Sequence, residues 1–373
     1  MADQRPTAIL TTTIRVPVFL EELVANAVRY GHRDTFCIVM GDEKTPAEAR
    51  PFCESLSAKT GIPVRYFDLA LQEETLKDFP ELLDVVPHNS GVRKLLGNFI
   101  AWREGCGALI MVDDDNFVTD SDFVGLHRIV DTAPAIPAVR SDSGWFNVYE
   151  SVVEARGIPF FPRGYPWGER HYGPQRFARE TNSRRVVVNS GLVSEDPDVD
   201  AISRLFWPIR VTAMKPEWSP HFTLAPGTWC AFNNQNTALA RDLIPIHFTP
   251  HATGRNADIW TSYVMFRLVE HMGDAITYGE PMARQLRNPH DLWKDLDREL
   301  VNDRATDAFA KLLRVIPLTE KTYLGALGEL CGGALDRLPS LTGVSPQGAE
   351  MMRGFFREYL VWQGACLRAA GAA

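Results

Sequence analysis

Ala108-Leu109-Ile110-Met111-Val112-Asp113-Asp114-Asp115-Asn116-Phe117-Val118 is the stretch on which the fold turns. An apolar run too short for a helix of its own stops on three consecutive carboxylates. Such a run reads as a strand buried on both faces, the habit of a parallel sheet covered by helices. In open α/β sheets ligands gather at the carboxyl ends of the strands, so the acidic cluster falls where a ligand is expected. Three adjacent carboxylates repel one another. A hard divalent cation such as Mg²⁺ or Mn²⁺, with a diphosphate as its other partner, gives them a reason to stay ionised. The alternatives are a polar loop in which Asp114 or Asp115 caps a helix, or a surface calcium site.

Upstream, residues 8–13 are β-prone and lead through Ile14-Arg15-Val16-Pro17 into an amphipathic stretch reaching Tyr30, with Pro17 suited to a first helical turn. Residues 35–40 form a second apolar run, ended by Gly41-Asp42. Thr45-Pro46-Ala47-Glu48 has the capping-box pattern of a helix start. Residues 63–68 offer a third strand, and Asn89-Ser90 opens a helix carrying Arg93, Lys94, Asn98 and Trp102, closed by Gly105. The order β-α-β-α-β-α-β, with the acidic triplet after the fourth strand, predicts a mainly parallel α/β sheet flanked by helices. No Gly-x-Gly-x-x-Gly follows the first strand, which counts against a dinucleotide site. Thr11-Thr12-Thr13-Ile14-Arg15 holds that turn, with hydroxyls and a guanidinium for a base, ribose or phosphate, or simply as a capped helix start.

Downstream, residues 141–226 are rich in aromatics, Pro and Gly and read as long ordered loops, which are usually functional. Residues 228–236 read as extended and about 237–243 as a short helix. Gly254-Arg255-Asn256-Ala257-Asp258-Ile259-Trp260 leads an apolar helix to about Met272. Beyond about Asn302 the composition is helical, and Ser345-Pro346 starts a last helix reaching about Ala369. The chain therefore divides as an α/β domain over 1–300 and a helical C-terminal appendage over 301–373, packed on the sheet or serving a homo-oligomer interface.

A chain of 373 residues can bury a large core, and its net charge of −8 disfavours a nucleic-acid surface without forbidding a basic pocket for a diphosphate. No apolar run approaches the roughly 18–20 residues needed to span a bilayer. The start, Met1-Ala2-Asp3-Gln4-Arg5-Pro6, has no apolar secretion segment. Six scattered cysteines without a Cys-x-x-Cys pair read as reduced core residues of a cytoplasmic protein.

Several motifs, in order, carry a resemblance. Thr13-Ile14-Arg15 with Phe19-Leu20-Glu21, the acidic Asp113-Asp114-Asp115-Asn116-Phe117-Val118, and Arg163-Gly164-Tyr165-Pro166-Trp167 are the first three. Gly191-Leu192 with Asp196-Pro197-Asp198-Val199-Asp200-Ala201, then Asn236-x-Ala238 with Arg241-x-Leu243-Ile244, and finally Gly254-Arg255-Asn256-Ala257-Asp258-Ile259-Trp260 follow. The set resembles the reversibly glycosylated polypeptides, or UDP-arabinopyranose mutases, and their bacterial nucleotide-sugar pyranose/furanose mutase relatives. It runs from about residue 8 to about 295, and the last seventy-odd residues find no match. Asn116 stands where plant members usually carry cysteine, and Ala257 where the family has its first carboxylate after Gly-Arg. A family histidine after Gly279-Glu280-Pro281 has no clear counterpart, with Gln285 and His290 near its place.

The resemblance implies a GT-A-like (glycosyltransferase A) fold and a divalent-metal-dependent, flavin-free and NAD-free mutase acting on a UDP- or GDP-linked sugar. Asp113 and Asp115 are then the metal ligands, with Asp114 a ligand or ribose contact. Arg163 is the nucleophile that attacks the anomeric carbon, or else an electrostatic clamp on the diphosphate. Asp258, Asp198 or Glu169 is its proton partner, Asp258 by family position. Thr13 and Asp42 are expected on the nucleotide, Arg15, Arg93 and Lys94 on phosphate or base (Arg93 and Lys94 otherwise on a solvated helix face), and Trp229 and Asn236 elsewhere on the donor. Tyr165 and Trp167 could offer an apolar face to the sugar, and Asn233, Asn234 and Gln235 could bind its hydroxyls; core packing and an ordinary turn explain them equally well. His251 and His290 lack metal-ligand spacing. The rival readings are a metal-dependent glycosyltransferase that uses a separate acceptor, and a non-catalytic or self-glycosylated nucleotide-sugar scaffold.

Overall fold

The computed structural model describes residues 5–170 and 175–371, so the opening residues 1–4 lie outside it. Thirteen strands form one sheet among the described residues. They are β1 Thr7–Thr12, β2 Thr35–Met40, β3 Val64–Phe67, β4 Ala108–Val112, β5 Asn116–Phe117, β6 Ile136–Ser141 and β7 Val152–Glu154. Then come β8 Phe177–Asn182, β9 Val186–Glu195, β10 Val211–Met214, β11 His221–Leu224, β12 Asn236–Ala240 and β13 Ala275–Gln285. The helices are α1 Leu20–Arg29, α2 Ala49–Thr60, α3 Leu69–Thr75, α4 Pro80–Val85, α5 Lys94–Arg103 and α6 Phe123–His127. The remaining five are α7 Ala201–Phe206, α8 Ala257–Met272, α9 Leu292–Val315, α10 Tyr323–Arg337 and α11 Pro346–Gly371.

The main path through the sheet runs β3-β2-β1-β4-β12-β9-β13-β11-β6-β8. The first four strands are parallel, with Leu10 opposite Ile38 on one side and Met111 on the other. Apolar residues on both faces of β1, β2 and β4 bury against α1, α2 and α5, as a helix-covered parallel sheet requires. The α/β class, the flanking helices and the helical C-terminal region expected from the sequence are all present. Past β4 the strand direction becomes mixed, because β12 enters antiparallel to both β4 and β9.

That insertion corrects one reading. Residues 237–240, expected to be helical, form most of β12, and a 3₁₀ turn follows at Arg241–Ile246. Thr237-Ala238-Leu239-Ala240 is fully buried between two neighbouring strands, and tertiary pairing overrides the helix propensity of its alanines and leucine. The capping box at Thr45 does not form either. The Thr45 hydroxyl donates to the Thr13 carbonyl (2.6 Å) instead, and α2 begins only at Ala49.

The acidic triplet follows β4 directly. Asn116 N–H donates to the Asp113 carbonyl (3.1 Å), and β5 then pairs with the far end of β13, so the carboxylates sit in a tight turn at the strand's carboxyl end. Among the described residues no helix is long and apolar enough to cross a membrane. Helix α9 runs unbroken through position 300, where the two expected domains were to meet. One contiguous core includes both Trp260 of α8 and Phe309, Phe355 and Phe356 of the C-terminal helices, and Trp260 stacks on Phe309 at 4.2 Å.

Candidate active site

A cleft of about 950 Å³ opens at the carboxyl end of β4. It is walled by the acidic triplet, Lys94, Arg163, Asp258, the loop 87–92 and the turn 251–255, and closed on its far side by Arg298 of α9 and Met351 of α11. The β1–α1 turn lies beside it because β1 and β4 are neighbours. There the Thr13 hydroxyl donates to Asp114 Oδ2 (2.7 Å) and accepts from Arg15 N–H (3.1 Å). Arg15 is exposed close enough to favour Asp114's charge, whereas burial pushes the Asp114 carboxyl above its usual range.

Lys94, the first residue of α5, is only 2% exposed and donates to Asp113 Oδ1 (2.5 Å) and to the Asn234 carbonyl (2.9 Å). It balances one of the three charges. Asp115 has no such cation in contact among the described residues; burial first, and then the charge of Asp113, push its carboxyl up to about 6. A divalent cation held there would offset that repulsion. Asp113 and Asp115 fit one: two hard oxygen donors bordering a cleft are what Mg²⁺ or Mn²⁺ takes when phosphate oxygens and water complete its shell. Among the described residues no group of three or more His, Cys, Asp or Glu is arranged to hold an ion. His290 pairs with Asp295 (2.9 Å) and Gln285 lies beside Asp115, so of the two positions near the family's histidine only Gln285 adjoins the triplet.

Arg163 is 7% exposed, and all five of its N–H groups are taken. Nε and one Nη2 hydrogen go to Asp198 (3.0 Å each), while Nη2 and Nη1 grip Asp258 (2.9 and 3.1 Å). Nη1 also donates to the Arg255 carbonyl (2.5 Å) and meets Asn256 Oδ1 (3.2 Å). Burial opposes the charge on Arg163, but the two carboxylates overcome it and hold the guanidinium protonated. The partners differ. Arg163 keeps Asp198 well below the usual carboxylate range against its burial, with Arg287 and Arg204 adding to the pull. Asp258 is raised, first by burial and then by the charges of Asp198 and Asp113.

Gly164 makes this arrangement possible. Its φ is +68°, and a Cβ there would lie 2.3 Å from Ile259 Cγ2 on α8. Gly164→Ala should therefore cost about 1–3 kcal/mol, read as a lower urea midpoint at unchanged m. A midpoint equal to that of the wild type would show that the Arg163 loop does not depend on this close approach.

The structure brings Arg163, Asp258, Asp113, Asp114, Asp115, Lys94, Thr13 and Arg15 together, and moves four expected positions elsewhere. Arg93 lies in the core at 1% exposure, donating to Gln72 Oε1 and the Val86 carbonyl. Trp229 is core, stacked on Phe266 (5.9 Å) and covered by Arg314 of α9 (4.2 Å). Asn236 is core, bridging the Leu192 and Pro281 carbonyls. Asp42 is spent on Ser90 and Glu43 N–H groups, tying the loop after β2 to the cleft wall. Tyr165 is likewise buried, and Asn233 donates to Asp198 (3.0 Å). Arg163 is held by Asp198, Asp258, Arg255 and Asn256, and among the described residues Glu169 makes no contact with it.

Sequence reasoning missed Arg255, Asn256 and four residues of α9. Asp295, Glu299, Asn302 and Asp303 are all buried and lie on one helix face. A polar stripe at i, i+4, i+7 and i+8, where an apolar stripe normally meets the core, was the signal.

No protein-family model matches the chain, and no curated protein matches it. Among solved structures it is similar, at 10% identity and a TM-score of 0.42, to the mannosyltransferase PcManGT from Pyrobaculum calidifontis in complex with GDP-Man and Mn²⁺, covering 99% of this chain and 87% of that one. It is also similar, at 9% identity and a TM-score of 0.41 over 82% of its length, to GalNAc-T7 with UDP, GalNAc and Mn²⁺, and it spans 48% of that protein. At such distance the chemistry has to stand on the chain's own residues.

Proposed function

We propose that the cleft binds a nucleotide-diphosphate sugar, UDP- or GDP-linked, and interconverts its pyranose and furanose forms through a sugar–arginine adduct. One observation carries this reading: Asp258 is hydrogen-bonded to Arg163 and also feels the charge of Asp113, so the arginine and the acidic triplet share one cleft. Lys94 and Arg15 add positive charge for the diphosphate. A divalent ion on Asp113 and Asp115 would supply charge stabilisation to the departing diphosphate.

Arg163 cannot attack while protonated. Asp258, whose proton affinity is raised, accepts the Nη proton, and the freed nitrogen lone pair forms a bond to the anomeric carbon. The carbon–oxygen bond to the diphosphate breaks with its electron pair going to the phosphate oxygen. Ring opening and closure through a different hydroxyl precede return of the diphosphate oxygen to that carbon, and Arg163 recovers its proton from Asp258. No oxidation state changes, so neither flavin nor nicotinamide is called for.

A second reading has its own support. Full occupation of the guanidinium suits a fixed cation, with Asp258 serving as base for an acceptor hydroxyl in a glycosyltransferase. Incubating the full chain with UDP- and GDP-pentoses and hexoses plus MnCl₂, without acceptor, separates the two. Chromatography and NMR should reveal an isomer of unchanged mass, lost with EDTA and lowered on the order of 100-fold in Asp115→Asn. Free nucleoside diphosphate without isomer would replace the mutase by the transferase. Binding without turnover would leave a scaffold.

A further inference from the structure

We infer that helix α9 is part of the arginine's machinery, with Asp303 and Glu299 as positioning residues that aim the Arg163 guanidinium. Five side chains along one face of α9 grip the eight residues from Thr253 to Trp260. Asp295 and Glu299 bind the Arg255 guanidinium (3.3 and 2.6 Å). The Asn302 amide donates to the Thr253 carbonyl (3.0 Å). Asp303 Oδ1 accepts from Asn256 Nδ2 (3.0 Å), and the Thr306 hydroxyl accepts from Trp260 Nε1 (3.0 Å).

Two of these contacts pass directly to Arg163. Because Asp303 holds the NH₂ side of the Asn256 amide, the oxygen side is left facing Arg163 Nη1. Glu299 has two tasks: Oε1 fixes Arg255, whose carbonyl accepts from Nη1, and Oε2 accepts from Ala201 N–H (2.7 Å). Ala201 follows the segment that carries Asp198, the partner of Nε and Nη2. Thus α9 holds both ends of the guanidinium, the Nη1 end through 255–256 and the Nε end through 198–201. Helix packing alone does not explain the choice of residues. Buried carboxylates and amides cost free energy that apolar side chains of like volume would not.

This inference rests on Arg163 being the working cation of the cleft, so its first readout needs no substrate. In ¹⁵N-arginine-labelled full-length protein, the Arg163 signals are assigned by their loss in Arg163→Lys. Asp303→Leu should move or average the Nη1 signals and spare Nε, whereas Glu299→Gln should move Nε as well. Asp303→Asn, which keeps the acceptor oxygen, should restore the wild-type pattern. In turnover assays Asp303→Leu should lower kcat about tenfold or more at a KM within threefold of wild type, with Asp303→Asn rescuing it. Unmoved Arg163 signals in both folded Asp303→Leu and folded Glu299→Gln would overturn the inference. Should Asp303→Leu fail to fold, Glu299→Gln alone decides at Nε. Moved signals in a protein that isomerises nothing would sink the mutase and leave the positioning intact.

Discussion

Arg163→Ala should remove turnover by on the order of 10³-fold or more and destabilise the fold by about 3–5 kcal/mol near pH 7. Both effects have one cause. The substitution leaves Asp198 and Asp258 buried at 5% and 14% side-chain exposure with their shared cation gone. The sign of the pH dependence is a sharper test than the size of the loss. In the wild type Asp198 is depressed, so its contribution is present above the ordinary carboxylate pKa of about 3.9 and disappears as pH falls through the folded value. Without Arg163 the same burial raises both carboxyls, so the variant's deficit relative to the wild type should shrink as pH falls from about 7 toward about 4. Urea titrations of both proteins across that range measure the difference. Arg163→Lys retains the charge but has three donors on one nitrogen where five in a planar fork were used. It should recover part of the stability and none of the isomerisation. Wild-type isomer formation by Arg163→Lys would make Arg163 a clamp.

The parts of the fold legible in the sequence are those with a local period. Strands β1, β2 and β4 are apolar runs between turn residues, and α8 and α11 show helical spacing with Gly273 and Pro346 at their ends. Strands β7 to β11 are lost in the loop-like stretch 141–226, β12 reads as the start of a helix, and β13 is not marked. β9 and β13 pair across nearly ninety residues of sequence, and that long-range pairing, unlike a short apolar run, leaves no periodic mark. The site divides in the same way. Asp113, Asp115, Arg163 and Asp258 stand in compact motifs and could be named. Arg93 and Lys94 are adjacent and chemically alike, yet one faces the core and the other the cleft. A single residue of helical phase, about 100°, separates those fates, and element boundaries read from sequence are not that accurate.

Asp303→Asn should stabilise the protein at pH 8 by up to about 4 kcal/mol and leave it unchanged near pH 4. Asp303 is 5% exposed, and burial, then the neighbouring charges of Asp200 and Glu299, push its carboxyl up to about 7. The folded state therefore holds this proton over a pH range in which the unfolded chain, titrating near about 3.9, has released it. Stability falls as pH rises through that window, and the loss is complete once pH passes the folded value. Asparagine has no proton to lose. Its oxygen can accept from Asn256 as Asp303 does, and its NH₂ can donate toward Asp200 or Glu299. The advantage of the variant should open above pH 4, grow to about pH 7 and then level off. Asp115 and Asp258, also raised, tilt both curves equally, so the difference between the two proteins isolates Asp303. A gain that is the same at pH 4 and pH 8 would mean that the side chain acts through shape or polarity alone. A gain confined to high pH would show that Asp303 acts on stability through the proton its buried carboxyl holds.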